Sequence, residues 1–376
     1  MPSSTPKDDV IEVVIPDLFT SILSVDPVQN PHYEQVKKDA DLWIAKTLGY
    51  DKGAAHRNTR ADFTYLVSWW APRCDAEALR TMVDWQHWAF PWDDQFDEGH
   101  LKDDVFEAAN NIIQTLSVLD DNYPDISRDE DPMSHAFQVS WHSFKKRASP
   151  RWQHRYKQCG WFRLPIQPGN IICSFKRLIA SNLEDMKHYM LGVLGQVHAR
   201  QFDVAELSIH DYLDFRRRTI GVMPCIALVE YALGIDLPDY VIDHQSLKDC
   251  REVAIDLVLL DNDILSYKKD MKQGEELSVI GILQAQGWSL QSAMNEAGRM
   301  LDACYQRWSS AVAAMPSWGS VLDQQVLEYL DGLRNIALGS LLWSFRTGRY
   351  FNKEEGRRLR ETRVLDVPVG LGSWQR

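Results

Sequence analysis

The chain has 376 residues, 45% of them hydrophobic, so it can bury a sizeable core and is too apolar to be disordered. A formal net charge of −12 argues against nucleic acid as a partner, because phosphate backbones demand Lys/Arg surfaces; a local basic site for a small anion stays open. With only 20 Gly and 16 Pro the composition disfavours a loop-rich or all-β protein, and 14 Trp call for a bulky core or an aromatic cavity.

The N-terminus reads MPSSTPKDDVIEVVIPDLF, with charge interrupting every apolar run. No signal peptide is visible, no stretch reaches the length of a membrane span, and a cytoplasmic location is expected. Pro2, Pro6, Pro16, Pro27 and Pro31 predict an extended arm over residues 1–30. Beyond it the pattern is helical. Leu101, Val105, Ile112, Ile113, Leu116 and Leu119 recur at spacings near three and four, and residues 171–200 run without Pro. Ser289 stands as a cap before the stripe Leu290, Ala293, Ala297, Leu301, Cys304 and Trp308, and residues 325–347 form another long apolar pattern. The acidic stretch 120–132, broken by Pro124 and Pro132, reads as a solvated loop rather than a metal site. No segment shows sustained strand alternation. The prediction is an all-α, single-domain helical bundle over residues 31–351, with roughly ten helices, followed by a tail over 352–376. Cys74, Cys159, Cys173, Cys225, Cys250 and Cys304 form no CxxC pair and read as reduced, mostly buried thiols.

Two polar clusters carry chemistry. In WDDQFDEG (92–99), Asp93 and Asp97 share one helix face, Asp94 lies beside them, and Gly99 predicts a helix stop. Carboxylates near a helix C-terminus meet the negative end of the macrodipole and repel each other. A cation at that point relieves both penalties, and oxygen-only ligands favour a hard ion, Mg²⁺ or Mn²⁺. The plainer alternative is an exposed acidic helix end. In LLDNDILSYKKDMKQG (259–274), Asn262, Ser266 and Asp270 fall at i, i+4 and i+8, so one face stacks an amide, a hydroxyl and a carboxylate. Asp263 flanks the first, Lys269 adjoins the last, and Gly274 ends the helix. A solvent-exposed polar face is the alternative here. Two such clusters facing each other across a bundle make a multi-metal site suited to a polyanion, most simply a diphosphate.

On these residues the sequence resembles a class I terpene synthase of the microbial type, closest to fungal sesquiterpene cyclases. DDQFD (93–97) resembles the family's aspartate-rich motif, and NDILSYKKD (262–270) its second metal motif. Arg349-Tyr350, in WSFRTGRYF, resembles the C-terminal Arg-Tyr pair. YLDFRRRTIG (212–221) resembles the segment carrying a diphosphate-sensing arginine, which falls on Arg216 with Arg217 and Arg218 adjoining. The resemblance covers roughly residues 60–351, with four motifs in the expected order. One departure stands out: the family ends its second motif in Glu, and this chain has Asp270.

The resemblance implies Mg²⁺-dependent ionisation of farnesyl diphosphate and cyclisation of the resulting carbocation, with three Mg²⁺ ions, replaceable by Mn²⁺. Their ligands would be Asp93, Asp97, Asn262, Ser266 and Asp270. Arg216, Lys269, Arg349 and Tyr350 would hydrogen-bond the diphosphate. Phe90, Trp92 and Trp343, neighbours of the motifs, are candidates to face the cation, against the alternative of ordinary core packing. The helix break at Thr219-Ile220-Gly221, ahead of Pro224, would present backbone groups. Closure is expected to order the C-terminal segment, and the final proton is expected to go to diphosphate. The partner is the small-molecule substrate alone, with no nucleic acid and no membrane span, in a monomer or homodimer. C10 and C20 substrates remain open. A trans-prenyl diphosphate synthase would need a second aspartate-rich motif in place of NDILSYKKD. A helical metallohydrolase would need His ligands, and Asp243-His244 has no partners nearby in sequence. A non-catalytic helical binding protein would show no metal dependence.

Overall fold

A computed structural model describes residues 10–157, 189–190, 192–194 and 204–368. Strand β1 (Val10–Val14) and a short 3₁₀ turn lead into α1 (Tyr33–Thr47), α2 (Lys52–Ala61), α3 (Phe63–Ser68) and α4 (Ala76–Asp97). Then come α5 (Val105–Ser117), α6 (Pro132–Lys145) and α7 (Pro150–Lys157). The second half holds α8 (Ile209–Thr219), α9 (Val222–Leu233), α10 (Asp239–Ile242), α11 (Gln245–Gln273) and α12 (Val279–Ala285). It ends with α13 (Leu290–Ala313), α14 (Ser320–Arg346), α15 (Lys353–Thr362) and strand β2 (Val364–Pro368). The expected all-α bundle is what forms.

Local chemistry sets the boundaries. The Asp75 carboxylate accepts the Ala78 N–H and starts α4, and Ser289 starts α13 by accepting from Ser292. Gly274, at φ 74°, ends α11 in the left-handed conformation that glycine adopts without strain. Leu101 lies in a turn outside α5, because Asp104 caps that helix through the N–H groups of Phe106 and Glu107. The apolar pattern at 325–347 belongs to a helix that begins earlier, at Ser320. Residues 120–131 are loop, as expected, until Asp131 caps α6. Of the stretch 171–200, only residues 189–190 and 192–194 are described, and they are helical.

The long helix α11 packs on α13 and α14, and α4 packs on α1 and α6. Much of the Trp surplus is core: Trp88 stacks on Phe137 at 4.2 Å, and Trp141 lies parallel to Tyr156 at 5.3 Å. Cys74, Cys225, Cys250 and Cys304 are buried and unpaired with one another, whereas Cys159 and Cys173 lie outside the described residues. No described helix is long and apolar enough to cross a membrane.

The ends of the chain differ from the sequence expectation. The arm supplies β1, which pairs antiparallel with β2 from Val10↔Pro368 to Val14↔Val364. The five residues of β1 bury only Val13, so no alternation could announce the strand. The tail forms α15, started by a capping box between Asn352 and Glu355. Helix α15 docks on α14 so closely that a Cβ on Gly356 would stand 2.1 Å from the Phe345 carbonyl oxygen. Gly356→Ala is therefore expected to lower stability by about 1–3 kcal/mol, seen as a fall in melting temperature. An unchanged melting temperature would mean that this contact is not made.

Candidate active site

The C-terminal ends of α4, α11 and α14 reach one mouth, where their backbone carbonyls concentrate negative partial charge. Below the mouth a cavity of about 450 Å³ runs between these helices and the α8–α9 junction. Asp93 and Asp97 line one wall from the end of α4; Asn262, Ser266 and Asp270 line another from α11. Both clusters thus line the same space.

Burial, with Asp97 adding repulsion, pushes the Asp93 carboxyl well above the usual carboxylate range, although Tyr189 donates to its Oδ1 at 2.9 Å. Burial likewise raises Asp270, against the Ser266 hydroxyl that donates to it and the Lys269 charge beside it. A cation between these groups would return both to their charged forms. Among the described residues no three Asp, Glu, His or Cys side chains converge as a metal cage. The donors are instead split between two walls, and one wall uses an amide and a hydroxyl. Such an all-oxygen set fits a hard ion, Mg²⁺ or Mn²⁺, shared with an anionic ligand.

The basic groups are held at the mouth by these same acids and amides. Arg216 donates from Nη2 to Asn262 Oδ1 at 3.2 Å. Burial opposes its charge, but Tyr212, Asp263, Asp97 and Asp93 outweigh that and raise its pKa. Arg349 donates from Nη2 to Asp94 at 2.8 Å, and that carboxylate outweighs burial in the same way. Lys269 pairs with Glu98 at 3.1 Å, bridging α11 to the end of α4. The Asn262 Nδ2 donates to the Tyr350 hydroxyl at 2.9 Å. Arg217 pairs instead with the buried Asp256 at 2.6 Å, and of the triplet Arg216 is the member that lines the cavity. Asp263 also lines the cavity, but its Oδ2 is occupied, accepting from the Tyr212 hydroxyl and the Val279 N–H, both at 2.8 Å, and so ties α8 and α12 to α11.

Of the expected pocket residues, Phe90, Ile220, Gly221 and Trp343 line the cavity. Trp92 does not, which corrects the expectation. One residue before Asp93, it is rotated about 100° around the helix. It packs on Trp88, Phe96 and Tyr189 while its Nε1 donates to Asn111 and Thr115. Gly221, at φ 74°, is the left-handed residue that breaks α8 from α9. Sequence reasoning missed Tyr189, which bonds Asp93 and underlies Gly221, where a Cβ would meet its ring at 3.4 Å. Nothing around it in sequence resembles a motif.

Comparison with known proteins agrees with this geometry. The family model described as "Terpene synthase family 2, C-terminal metal binding" matches residues 84–163 and 172–307. The (+)-eremophilene synthase of Gibberella fujikuroi is 42% identical over 362 residues, covering 96% of this chain and 94% of that protein. A (1R,4R,5S)-(−)-guaia-6,10(14)-diene synthase of Fusarium proliferatum is 40% identical over 367 residues, 96% of this chain and 86% of that one. Among solved structures, an α-eudesmol synthase superposes with a TM-score of 0.70 at 20% identity, over 86% of this chain and 98% of that chain, a likeness of fold. By fold, motif order and relatedness, the chain belongs to the terpene synthase family.

Proposed function

We propose that the protein is a Mg²⁺-dependent sesquiterpene cyclase that ionises farnesyl diphosphate, cyclises the carbocation and releases diphosphate. The observation that carries this reading is a single cavity whose mouth joins acidic, amide and basic groups and whose depth is aromatic and aliphatic. In ionisation the allylic C–O bond breaks, its electron pair leaves with diphosphate, and a carbocation stays in the pocket. Bound divalent cations would supply Lewis-acid neutralisation of the leaving group, held by Asp93 and Asp97 on one side and Asn262, Ser266 and Asp270 on the other. Three Mg²⁺ ions, replaceable by Mn²⁺, suit this donor number. Asp270, one methylene shorter than the family's Glu, reaches the same face of α11 from one turn beyond Ser266.

Arg216, Lys269 and Arg349 would exchange their present partners for diphosphate oxygens. Those partners keep the cations at the mouth until an anion of higher charge arrives. Tyr350 would donate beside them. The acidic protein thus needs only a local basic site. Below, Phe90 and Trp343, together with Trp85, which also lines the cavity, would exclude water and offer aromatic surface to the cation, roughly 0.5–2 kcal/mol per ring when desolvated. The backbone at Ile220 and Gly221 adds dipoles at the helix break.

Purified protein with farnesyl diphosphate and Mg²⁺ is expected to yield a hydrocarbon or alcohol, detected by gas chromatography–mass spectrometry, and none in excess chelator. Turnover that persists in chelator would contradict the reading.

A further inference from the structure

Two helical turns below Asp93, about 10 Å deeper along α4, the cavity wall carries a carboxamide, Gln86, only 4% exposed. Its surroundings at that depth are apolar: Val258 lies one turn below Asn262, and Ile336 two turns below Trp343. Burying an amide among such groups is unfavourable unless its polar atoms are used. Among the described residues Gln86 makes one hydrogen bond, from Nε2 to Cys225 Sγ at 3.2 Å.

That bond fixes which way the amide points. The Cys225 thiol donates to the Gly221 carbonyl oxygen at 3.1 Å, so its single proton is committed. Burial pushes the thiol up to about 12, which keeps that proton in place at neutral pH. The sulfur is therefore only an acceptor toward Gln86 and must face the NH₂ end. The carbonyl oxygen Oε1 is left directed away from Cys225, with no donor to it among the described residues.

We propose that Gln86 is a specificity-determining residue, whose carbonyl dipole fixes where positive charge settles on the isoprenoid chain, with Cys225 as the residue that positions it. The inference rests on the proposed cyclisation of farnesyl diphosphate. A negative dipole end in a water-poor cavity stabilises a cationic carbon near it over one farther away. It biases which carbon is electron-deficient when the proton is lost, and no bond to the amide forms or breaks. The relay Gln86–Cys225–Gly221 also connects this point to the helix break at the cavity wall.

The test compares product profiles at matched conversion for the wild type, Gln86→Met, Cys225→Ser and Cys225→Ala. Methionine keeps the length and volume of the side chain and removes the dipole. The wild-type main product is expected to lose at least threefold of its share in Gln86→Met. Cys225→Ser preserves donor and acceptor and should keep the wild-type profile, whereas Cys225→Ala should drift toward that of Gln86→Met. An unchanged profile in folded Gln86→Met overturns the inference. So does a folded Gln86→Met that consumes no substrate, because the amide then acts in ionisation. Should Gln86→Met fail to fold, an unchanged Cys225→Ala profile overturns it equally. A wild-type protein that turns nothing over refutes the cyclase reading itself, so the two failures are told apart.

Discussion

Asp93→Asn is expected to reduce turnover of farnesyl diphosphate by about two to three orders of magnitude while leaving the fold intact. The substitution removes one charge from the α4 wall and keeps the shape. The stability side of the balance runs the other way. Asp93 is buried, is repelled by Asp97, and receives one hydrogen bond, from Tyr189, which an amide oxygen can still accept. Losing a buried, repelled carboxylate does not harm the metal-free protein, so its melting temperature should hold or rise. Asn262→Leu, on the α11 wall, should match the loss of activity by removing a proposed metal ligand from the other side. It also strips Arg216 and Tyr350 of the amide that holds them. Near-wild-type turnover in Asp93→Asn would reduce the first cluster to an acidic helix end.

The second large effect separates the polar mouth from the aromatic depth. Arg349→Ala would remove a proposed donor to the leaving group, and a lost hydrogen bond to a buried charge costs about 1.5–3 kcal/mol, roughly ten- to hundredfold in rate. The walls stay, so the product pattern should too. Trp343→Leu should do the reverse. Its ring lines the cavity beside Phe90 and Tyr350, at centroid distances of 5.5 and 5.8 Å, and its Nε1 donates to the Ala61 carbonyl at 2.6 Å. Removing it takes away a π-face and a fixed wall, so linear or monocyclic products should grow. Product profiles at matched conversion decide. Redirected products in Arg349→Ala, with an unmoved profile in Trp343→Leu, would refute the division of labour.

The two acidic walls were legible because helical phase is local. Asp93 with Asp97, and Asn262 with Ser266 and Asp270, share faces by spacing alone, and burial of the flanking residues turns those faces inward. The same phase rule shows why Trp92 was misplaced: adjacency to a motif in sequence puts a side chain on a different face. What depended on tertiary packing was not legible. Tyr189 meets Asp93 across 96 positions, and the partner that takes Arg217 away from the cavity is the buried Asp256, 39 positions on. The β1–β2 pair joins residues 10–14 to residues 364–368; β1 buries one residue in five, and although Leu365 and Val367 of β2 alternate with less buried neighbours, five residues are too few to announce a strand. Gln86 carries no motif at all; only its burial in an apolar wall and the committed proton of Cys225 mark it.

Crystals grown with Mn²⁺ and inorganic diphosphate test the central claim most directly, through the anomalous signal of the metal. The two-wall site predicts manganese at the mouth, with peaks on the Asp93–Asp97 side and on the Asn262–Ser266–Asp270 side, and diphosphate between them within reach of Arg216 and Arg349. Diphosphate bound there with no manganese on either wall, or manganese only at surface carboxylates away from the cavity, would contradict it.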